Sequence, residues 1–211
     1  MPDRSALEAA ERQRGSATGE ALDQSLVERA VAQAAHWISI SRRVDMQRLA
    51  AELGVSRVTL FRHVGNRDHL LGQALWHLTA RTMAAAERRY DEAPSMRYRA
   101  VGVIHLFNQL VSTAPGLRAM LDREPAVTLR VLTDPRGAVQ PGVVAAIATL
   151  LERDRVERGL ELLVEPGALS FALVRLGESF LYADALASRT PDLSHANRLQ
   201  QALIEGPAPS L

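Results

Sequence analysis

Four side chains that can form hydrogen bonds lie close together in a short segment of the chain. Two of them are arginines, Arg57 and Arg62, and the other two are Thr59 and His63. A guanidinium donates two parallel hydrogen bonds from a rigid fork, so it can recognise the paired acceptors on the edge of a guanine base. These residue types therefore indicate hydrogen-bonded recognition of nucleic acid, provided that the side chains share one exposed helix face.

The neighbouring residues predict the helices that would position these side chains. Asp45, Ser56 and Asn66 are favourable N-caps for three successive helices. Gly54 and Gly65 stand where the first two of these helices would end, and glycine readily adopts the left-handed conformation of such ends. Two short helices joined by a tight turn form a helix-turn-helix, whose second helix enters the major groove of DNA.

The apolar residues and the charge of this segment agree with that prediction. Leu60 and Val64, with Val58 in part, are spaced to pack inward from the second helix. The polar residues of this helix are then expected to project outward: Arg57, Thr59, Arg62 and His63. Residues 42–67 contain six arginines and two acidic residues, although the whole chain has a net charge of only +1. The basic charge is therefore concentrated where DNA would lie. The alternative is a solvated pair of helices with an incidental run of charge.

Residues 25–75 resemble the DNA-binding domain of the tetracycline-repressor (TetR) family. The matching positions are Leu49, Ala50, Glu52, Gly54, Val55, Ser56, Thr59, Leu60, Phe61, His63, Arg67 and Leu70. The segment "SISRRVD" departs from the family, because it lacks the glycine and the aromatic residue usual between the first two helices. The resemblance implies a homodimeric transcription regulator, most often a repressor, that a small ligand releases from its operator.

The resemblance also implies which residues contact double-stranded DNA. By the matching positions they are Gln47, Arg57, Val58, Thr59, Phe61, Arg62, His63 and Arg67. Arg67 would hold a phosphate beside the N-terminus of the fourth helix. For His63 the alternative is that the imidazole only braces the backbone of the turn.

The rest of the chain is predicted to be helical, which makes the fold all-α. Helices are expected at about residues 95–113, 115–123, 125–133, 141–158, 166–189 and 194–204. The expected organisation is a flexible tail over residues 1–20, a three-helix helix-turn-helix DNA-binding domain over 21–70 and a larger ligand-binding and dimerisation domain over 71–211. The helices at 141–158 and 166–189 are predicted to form a four-helix bundle with the same pair of a second chain. Two recognition helices would then lie one DNA turn apart, ~34 Å, which requires a palindromic operator.

The predicted helix at 166–189 carries polar residues in an apolar sequence. Arg175, Glu178 and Tyr182 follow one another at helical spacing, so they form either an internal ion pair or a polar wall of a ligand site. The segment "VRLGESFLYAD" resembles the QsdR subgroup, regulators linked to the degradation of quorum-signal lactones. The candidate ligand-binding residues are Phe107, Asn108, Met120, Arg175, Glu178 and Tyr182. The expected effector is a small apolar molecule with a few polar atoms, a lactone being one candidate.

Several other classes of protein receive no support. The sequence has no G-x-S-x-G, P-loop, G-x-G-x-x-G or H-E-x-x-H motif, so no enzymatic activity, cofactor or metal site is expected. The absence of cysteine and of a long apolar run fits a cytoplasmic protein outside the membrane. Two alternatives to a ligand-responsive regulator stay open at this point: a constitutive DNA-binding protein, and a helical adaptor or enzyme.

Overall fold

The computed structural model describes residues 23–187 and 192–206 of the 211-residue chain. Within these two ranges every regular element is a helix and no strand occurs, so the all-α prediction is confirmed. The tail predicted over residues 1–20 lies outside the described residues. None of the described helices is long and apolar enough to cross a membrane.

We number the helices in chain order. α1 covers residues 23–39 of the described part. The others are α2 (Met46–Glu52), α3 (Arg57–Val64), α4 (Arg67–Glu92), α5 (Arg99–Ser112), α6 (Pro115–Arg123), α7 (Pro125–Thr133), α8 (Val139–Arg158), α9 (Pro166–Leu181), α10 (Ala183–Ala187) and α11 (Leu193–Glu205). One long helix, α4, therefore follows the two short helices α2 and α3.

The caps and turns predicted for α2, α3 and α4 are present. The side chains of Asp45, Ser56 and Asn66 each accept a hydrogen bond from the backbone N–H three residues further on, at 2.8, 3.0 and 2.8 Å. Each cap satisfies an N–H group that the first helical turn leaves without an internal partner. Gly54 and Gly65 have φ values of +70° and +71°, which glycine adopts without steric cost. α2 and α3 therefore begin and end where the local sequence predicts.

The end of α1 adopts a conformation for which glycine is usual. The N–H of Ser41 donates to the carbonyl of Ile38 at 2.9 Å, and the N–H of Arg42 donates to that of Trp37 at 2.7 Å. This pair of bonds is a Schellman motif, and Ser41 occupies its left-handed position at φ +59°. For a residue other than glycine this conformation costs roughly 1–2 kcal/mol. Serine thus replaces the glycine that "SISRRVD" lacks.

The inner face of α3 differs from the prediction at one position. Leu60 and Val64 are buried, as expected, and they belong to the same core as Leu49 and Ala50 of α2. Val58 is 79% exposed, so the prediction that it packs partly inward is wrong. Because each residue turns an α-helix by about 100°, Val58 lies roughly 200° from Leu60 and faces away from the core.

α4 joins the N-terminal helices to the rest of the molecule. Its 26 residues extend for about 39 Å, and the boundary predicted between residues 70 and 71 falls within it. A Cβ atom at Gly142 of α8 would lie 2.4 Å from the Trp76 ring of α4, and one at Gly102 of α5 would lie 2.2 Å from the Tyr90 ring. Glycines therefore let α5 and α8 approach α4 closely.

Two helix boundaries in the C-terminal part differ from the predictions. α5 begins at Arg99 and not near residue 95, since the residues before it are not helical. α9 ends at Leu181, because Tyr182 leaves the helical conformation at φ −110° and ψ 21°. The short helix α10 follows, so the predicted helix over 166–189 consists of two helices within the described residues.

Candidate nucleic-acid interface and buried cavity

The outer face of α3 is formed by Arg57, Val58, Phe61 and Arg62. All four residues are exposed, Phe61 by 58%. The ion pairs found in the described part of the chain use other arginines and leave these two guanidinium groups unengaged. Exposed guanidinium groups can donate to base acceptors in a major groove, and the exposed apolar side chains beside them can contact thymine methyl groups.

Thr59 and His63 are less accessible than predicted. Thr59 Oγ1 lies 2.8 Å from Ser56 Oγ within the cap. The His63 side chain is only 8% exposed, and its Nε2 lies 2.8 Å from the Asp23 carboxylate. Its Nδ1 lies 2.7 Å from the backbone oxygen of Thr59. The predicted outward projection of His63 is therefore wrong, because the ring braces α3 against α1; its contact with DNA stays a prediction.

The charge of His63 follows from these contacts. Both partners are hydrogen-bond acceptors, so both ring nitrogens must donate and the imidazole is protonated. The Thr59 carbonyl first, and then the Asp23 carboxylate, raise the pKa of His63 above its ordinary value of 6.5. Below its raised pKa, His63 is therefore the cationic partner of Asp23 in an ion pair behind the outer face of α3.

The raised pKa of His63 predicts a pH-dependent stability. A group with a raised folded-state pKa contributes stability that is fully present below its unfolded pKa, here 6.5, and is lost as the pH rises through the folded-state pKa. We expect the Tm of the wild type to fall more steeply than that of Asp23→Asn as the pH rises above the unfolded-state pKa of 6.5. Thermal unfolding at stepped pH measures this. Parallel profiles would show that Asp23 does not raise the pKa of His63.

Gln47 and Arg67 are the two remaining residues predicted to contact DNA, and their surroundings differ. Gln47 is exposed on α2. Arg67 is bonded within the chain: its Nε donates to the backbone oxygen of Val44 at 2.9 Å, and its Nη1 lies 2.8 Å from the Glu124 carboxylate. The expected free guanidinium for a phosphate is therefore absent in this conformation, because Glu124 occupies it. A phosphate contact by Arg67 stays a prediction.

Glu124 connects the N-terminal helices to the junction of α6 and α7. Its two carboxylate oxygens bind Arg43 and Arg67. Burial raises the pKa of Glu124, but the hydrogen bonds and charges of Arg67 and then Arg43 outweigh that effect and lower the pKa overall. Glu124 is therefore a carboxylate at neutral pH, and it neutralises part of the basic segment over residues 42–67.

A cavity of about 220 Å³ lies among the C-terminal helices. Most of its lining is aliphatic and comes from α4, α5, α8 and α9, with the start of α6 at one side. Ile38 and Ser39, at the end of α1, also line it. The cavity therefore shares a wall with the helix that supports α3.

Four of the six candidate ligand-binding residues line this cavity. They are Phe107, Asn108, Glu178 and Tyr182. Met120 does not line it, because its side chain packs beside Arg43, Arg67 and Glu124 at the other side of α6. Arg175 does not line it either. Binding of a ligand by the four lining residues stays a prediction.

Two alternatives were considered for Arg175 and Glu178, an ion pair and a polar wall of the cavity, and the structure has features of both. Arg175 Nη1 lies 2.6 Å from Glu178 Oε2, so the ion pair exists. The Arg175 side chain is 50% exposed and not buried as expected, whereas Glu178 is 9% exposed and lines the cavity. The pair therefore reaches from the protein surface to the cavity wall. Burial raises the pKa of Glu178, against the opposing effects of Gln140 and Arg175.

Sequence reasoning missed several lining residues. Gln140 of α8 and Gln200 of α11 are buried polar residues at the cavity. Each stands among apolar neighbours at a buried helix position, which was the available signal. Ile38 and Ser39 carry no such signal, because only the packing of α6 against α1 brings them to the cavity.

Comparison with known proteins decides the family. A family model described as "Tetracyclin repressor-like, C-terminal domain" matches residues 97–205. The structure is similar to that of the R. erythropolis transcriptional repressor QsdR, a TetR-family protein, with 30% identity and a TM-score of 0.79 over 89% of this chain and 98% of that chain. This chain belongs to the TetR family of transcriptional regulators. The QsdR resemblance noted in the sequence agrees with this structural match.

A second TetR-family regulator, from Rhodococcus sp., has the same fold. It is 18% identical, with a TM-score of 0.51 over 85% of this chain and 99% of that chain. No protein of curated function matches the chain in sequence. The TetR family consists of DNA-binding transcription regulators and not of enzymes, so α2 and α3 are the helix-turn-helix of this regulator. The described residues contain no group of three or more potential metal ligands.

In this TetR-family regulator the start of α6 lies directly on the end of α1. A Cβ atom at Gly116 would lie 2.0 Å from the carbonyl oxygen of Ile38, so the two backbones are in contact. Arg123, at the other end of α6, donates from Nη2 to the backbone oxygen of Ser41 at 2.7 Å. α6 therefore holds the end of α1 at two points, and one of them borders the cavity.

Proposed function

We propose that this TetR-family regulator is a homodimeric repressor that binds a palindromic operator and is released by a small molecule in the cavity. The observation that carries the proposal is the wall formed by Ile38 and Ser39. These two residues belong to the helix that supports the DNA-binding helix α3. A ligand that fills the cavity therefore touches the DNA-binding unit directly.

Operator recognition is assigned to the exposed residues of α2 and α3. Arg57 and Arg62 would read bases, while Val58 and Phe61 would contact thymine methyl groups or sugars. Gln47, on the exposed side of α2, and Thr59 would add polar contacts, and His63 and Arg67 would act near the phosphates. The proposed activity requires access to the chromosome, which places the protein in the cytoplasm.

Dimerisation is assigned to the outward faces of α8 and α9. Phe171 is 51% exposed on α9, and Ala168 and Ala172 beside it are also exposed. Val156 near the end of α8 is 75% exposed. Full burial of an exposed phenylalanine or valine side chain contributes roughly 1.5–3 kcal/mol. The same helix pair of a second chain would cover them in a four-helix bundle.

The proposal predicts a two-fold symmetric footprint. Two recognition helices of one dimer contact half-sites about one DNA turn apart, ~34 Å. DNase I footprinting on the intergenic DNA beside the gene should reveal protection of an inverted repeat, and light scattering should give the mass of two chains. A monomer at micromolar concentration, or protection of a single asymmetric half-site, would contradict the dimeric repressor.

Release by an effector follows from linkage. A ligand that prefers the conformation with the recognition helices wrongly spaced lowers operator affinity, and the operator lowers ligand affinity by the same factor. A coupling of about 1–3 kcal/mol suffices. A lactone is one candidate effector. If a compound saturates the cavity of the free protein and yet leaves operator affinity unchanged, that compound is not the effector.

Glu124 predicts a distinctive effect on DNA binding. Glu124→Gln removes the charge that holds Arg43 and Arg67, so both guanidinium groups become available to phosphates. We expect tighter operator binding at low salt, and a steeper dependence of log K on log [salt] by about one unit for each additional phosphate that an arginine binds. Fluorescence anisotropy at several salt concentrations measures both.

The matched control for Glu124→Gln is Glu157→Gln. Glu157 pairs with Arg153 within α8, and both side chains are about half exposed. Loss of the Glu157 charge should leave the salt dependence of operator binding unchanged. If Glu124→Gln behaves in the same way, Arg43 and Arg67 do not exchange Glu124 for phosphate on DNA.

A further inference from the structure

The Asn108 and Gln200 amides at the cavity direct N–H donors to partners within the protein. Gln200 Nε2 donates to the backbone oxygen of Leu173 at 2.9 Å. Because a carbonyl oxygen only accepts, this bond fixes the orientation of the Gln200 amide. Gln200 Oε1 must then accept, and it does so from Asn108 Nδ2 at 2.8 Å. Asn108 Nδ2 also donates to Asn197 Oδ1 at 2.8 Å, so only the acceptor Oδ1 of Asn108 is left for a further partner.

On the opposite side of the cavity, the polar residues Gln140 and Glu178 also leave an acceptor for a ligand. Gln140 Nε2 donates to the two Glu178 oxygens at 3.3 and 3.5 Å, and Arg175 Nη1 donates to Oε2 at 2.6 Å. A carboxylate offers about four acceptor positions, so Glu178 has capacity for a further donor. Among the described residues, Glu178 is also the only Asp, Glu, Lys, Arg or His that lines the cavity.

At the cavity, the hydroxyl groups of Ser39 and Thr82 direct their donors to the backbone. Ser39 Oγ and Thr82 Oγ1 donate to the backbone oxygens of His36 and Leu78, at 2.8 and 2.9 Å. Tyr182 is 7% exposed, and burial followed by the charge of Glu178 raises its pKa, so its hydroxyl stays protonated. The wall therefore offers a hydroxyl donor at Tyr182 beside the acceptors of Glu178 and Asn108. An acceptor of the wall that the ligand leaves unmatched costs binding energy.

We infer that the effector has an uncharged head group with an N–H or O–H donor directed at Glu178, attached to an aliphatic body, and that carboxylates are excluded. The inference rests on the proposed function of the cavity. The cavity volume of about 220 Å³ is many times the ~10–15 Å³ that one water molecule needs by the same measure, so the cavity admits an organic molecule of several non-hydrogen atoms. An N-acyl lactone carries a suitable amide N–H, whereas a plain alkyl lactone offers only acceptors.

Three probes of equal size test the inference on the free protein. Hexanamide, methyl pentanoate and hexanoate have the same number of non-hydrogen atoms, but they offer a donor, acceptors only and an anion respectively. We expect hexanamide to bind at least about tenfold more tightly than either of the other two at pH near 8, measured by ligand-observed NMR titration. Equal binding of hexanamide and methyl pentanoate would overturn the donor requirement while leaving the effector role intact.

The variant Glu178→Gln, with Glu161→Gln as its control, tests whether Glu178 causes the preference for hexanamide. The substitution keeps the size of the side chain but introduces an amide N–H that can donate to the ester, so the preference for hexanamide should fall below about threefold. Glu161 is exposed and does not line the cavity, so its variant should keep the preference. An unchanged preference in a folded Glu178→Gln protein would overturn the assignment. If no probe binds the wild type, the inference and the effector role fall together.

Discussion

Replacing Arg57 with alanine is expected to weaken operator binding by about 1–3 kcal/mol, which is roughly 5-fold to 150-fold. Arg57 is exposed at the start of α3. A guanidinium in this position can donate two hydrogen bonds to a guanine, and alanine can donate none. Fluorescence anisotropy with the footprinted operator measures the loss, and the loss should be confined to operators with guanine at the contacted position.

Arg81→Ala is the matched control for Arg57→Ala. Arg81 is also exposed, but it lies fourteen residues into α4, about 21 Å along the helix from its start. Its replacement removes the same charge and should leave operator affinity nearly unchanged. If Arg57→Ala keeps full affinity with its fold intact, Arg57 does not read a base. If both variants lose affinity equally at every sequence, the effect of Arg57 is one of net charge.

Replacing Gly116 with alanine is expected to have the largest effect on both stability and regulation. The new Cβ would lie 2.0 Å from the carbonyl oxygen of Ile38 and 2.8 Å from its carbonyl carbon. Backbone atoms cannot move aside as a flexible side chain can, so α6 must separate from α1. Overpacking of this kind costs typically about 1–3 kcal/mol. We expect a lower Tm and weaker operator binding, since α1 supports α3.

Gly72→Ala is the control for Gly116→Ala. Gly72 is also buried in a helix, but a Cβ atom there would meet Val131 at an ordinary 3.7 Å. Alanine favours a helix by about 1 kcal/mol over glycine, so this variant should be as stable as the wild type or more so. If Gly116→Ala lowers the Tm while operator affinity stays at the wild-type value, the α1–α6 contact stabilises the fold without transmitting a signal.

Local sequence was sufficient for the elements of the DNA-binding unit. The caps at Asp45, Ser56 and Asn66 and the turn glycines Gly54 and Gly65 act within a few residues of themselves, so their structural outcome depends little on the rest of the chain. The spacing of the apolar residues likewise indicates which side of each helix is buried. The resemblance to the TetR family rests on these same local features, which explains why the family could be recognised before the fold was known.

The partners of the charged residues depended on the tertiary structure. Arg67 was expected to hold a phosphate, but α6 and α7 bring Glu124 against it. His63 was expected to project outward, but α1 brings Asp23 within 2.8 Å of its ring. Such partners come from distant parts of the chain, and spacing within one helix contains no information about them.

Which residues line the cavity also depended on the tertiary structure. The sequence predicted polar residues on α9, and Glu178 does line the cavity, whereas Arg175 of the same helix points to the surface. Met120 packs on the other side of α6, and Gln140 and Gln200 arrive from α8 and α11. Helical periodicity determines which residues share a face of one helix. Only the packing of several helices determines which of those faces meet around one space, because that depends on how each helix is rotated and how closely its neighbours approach.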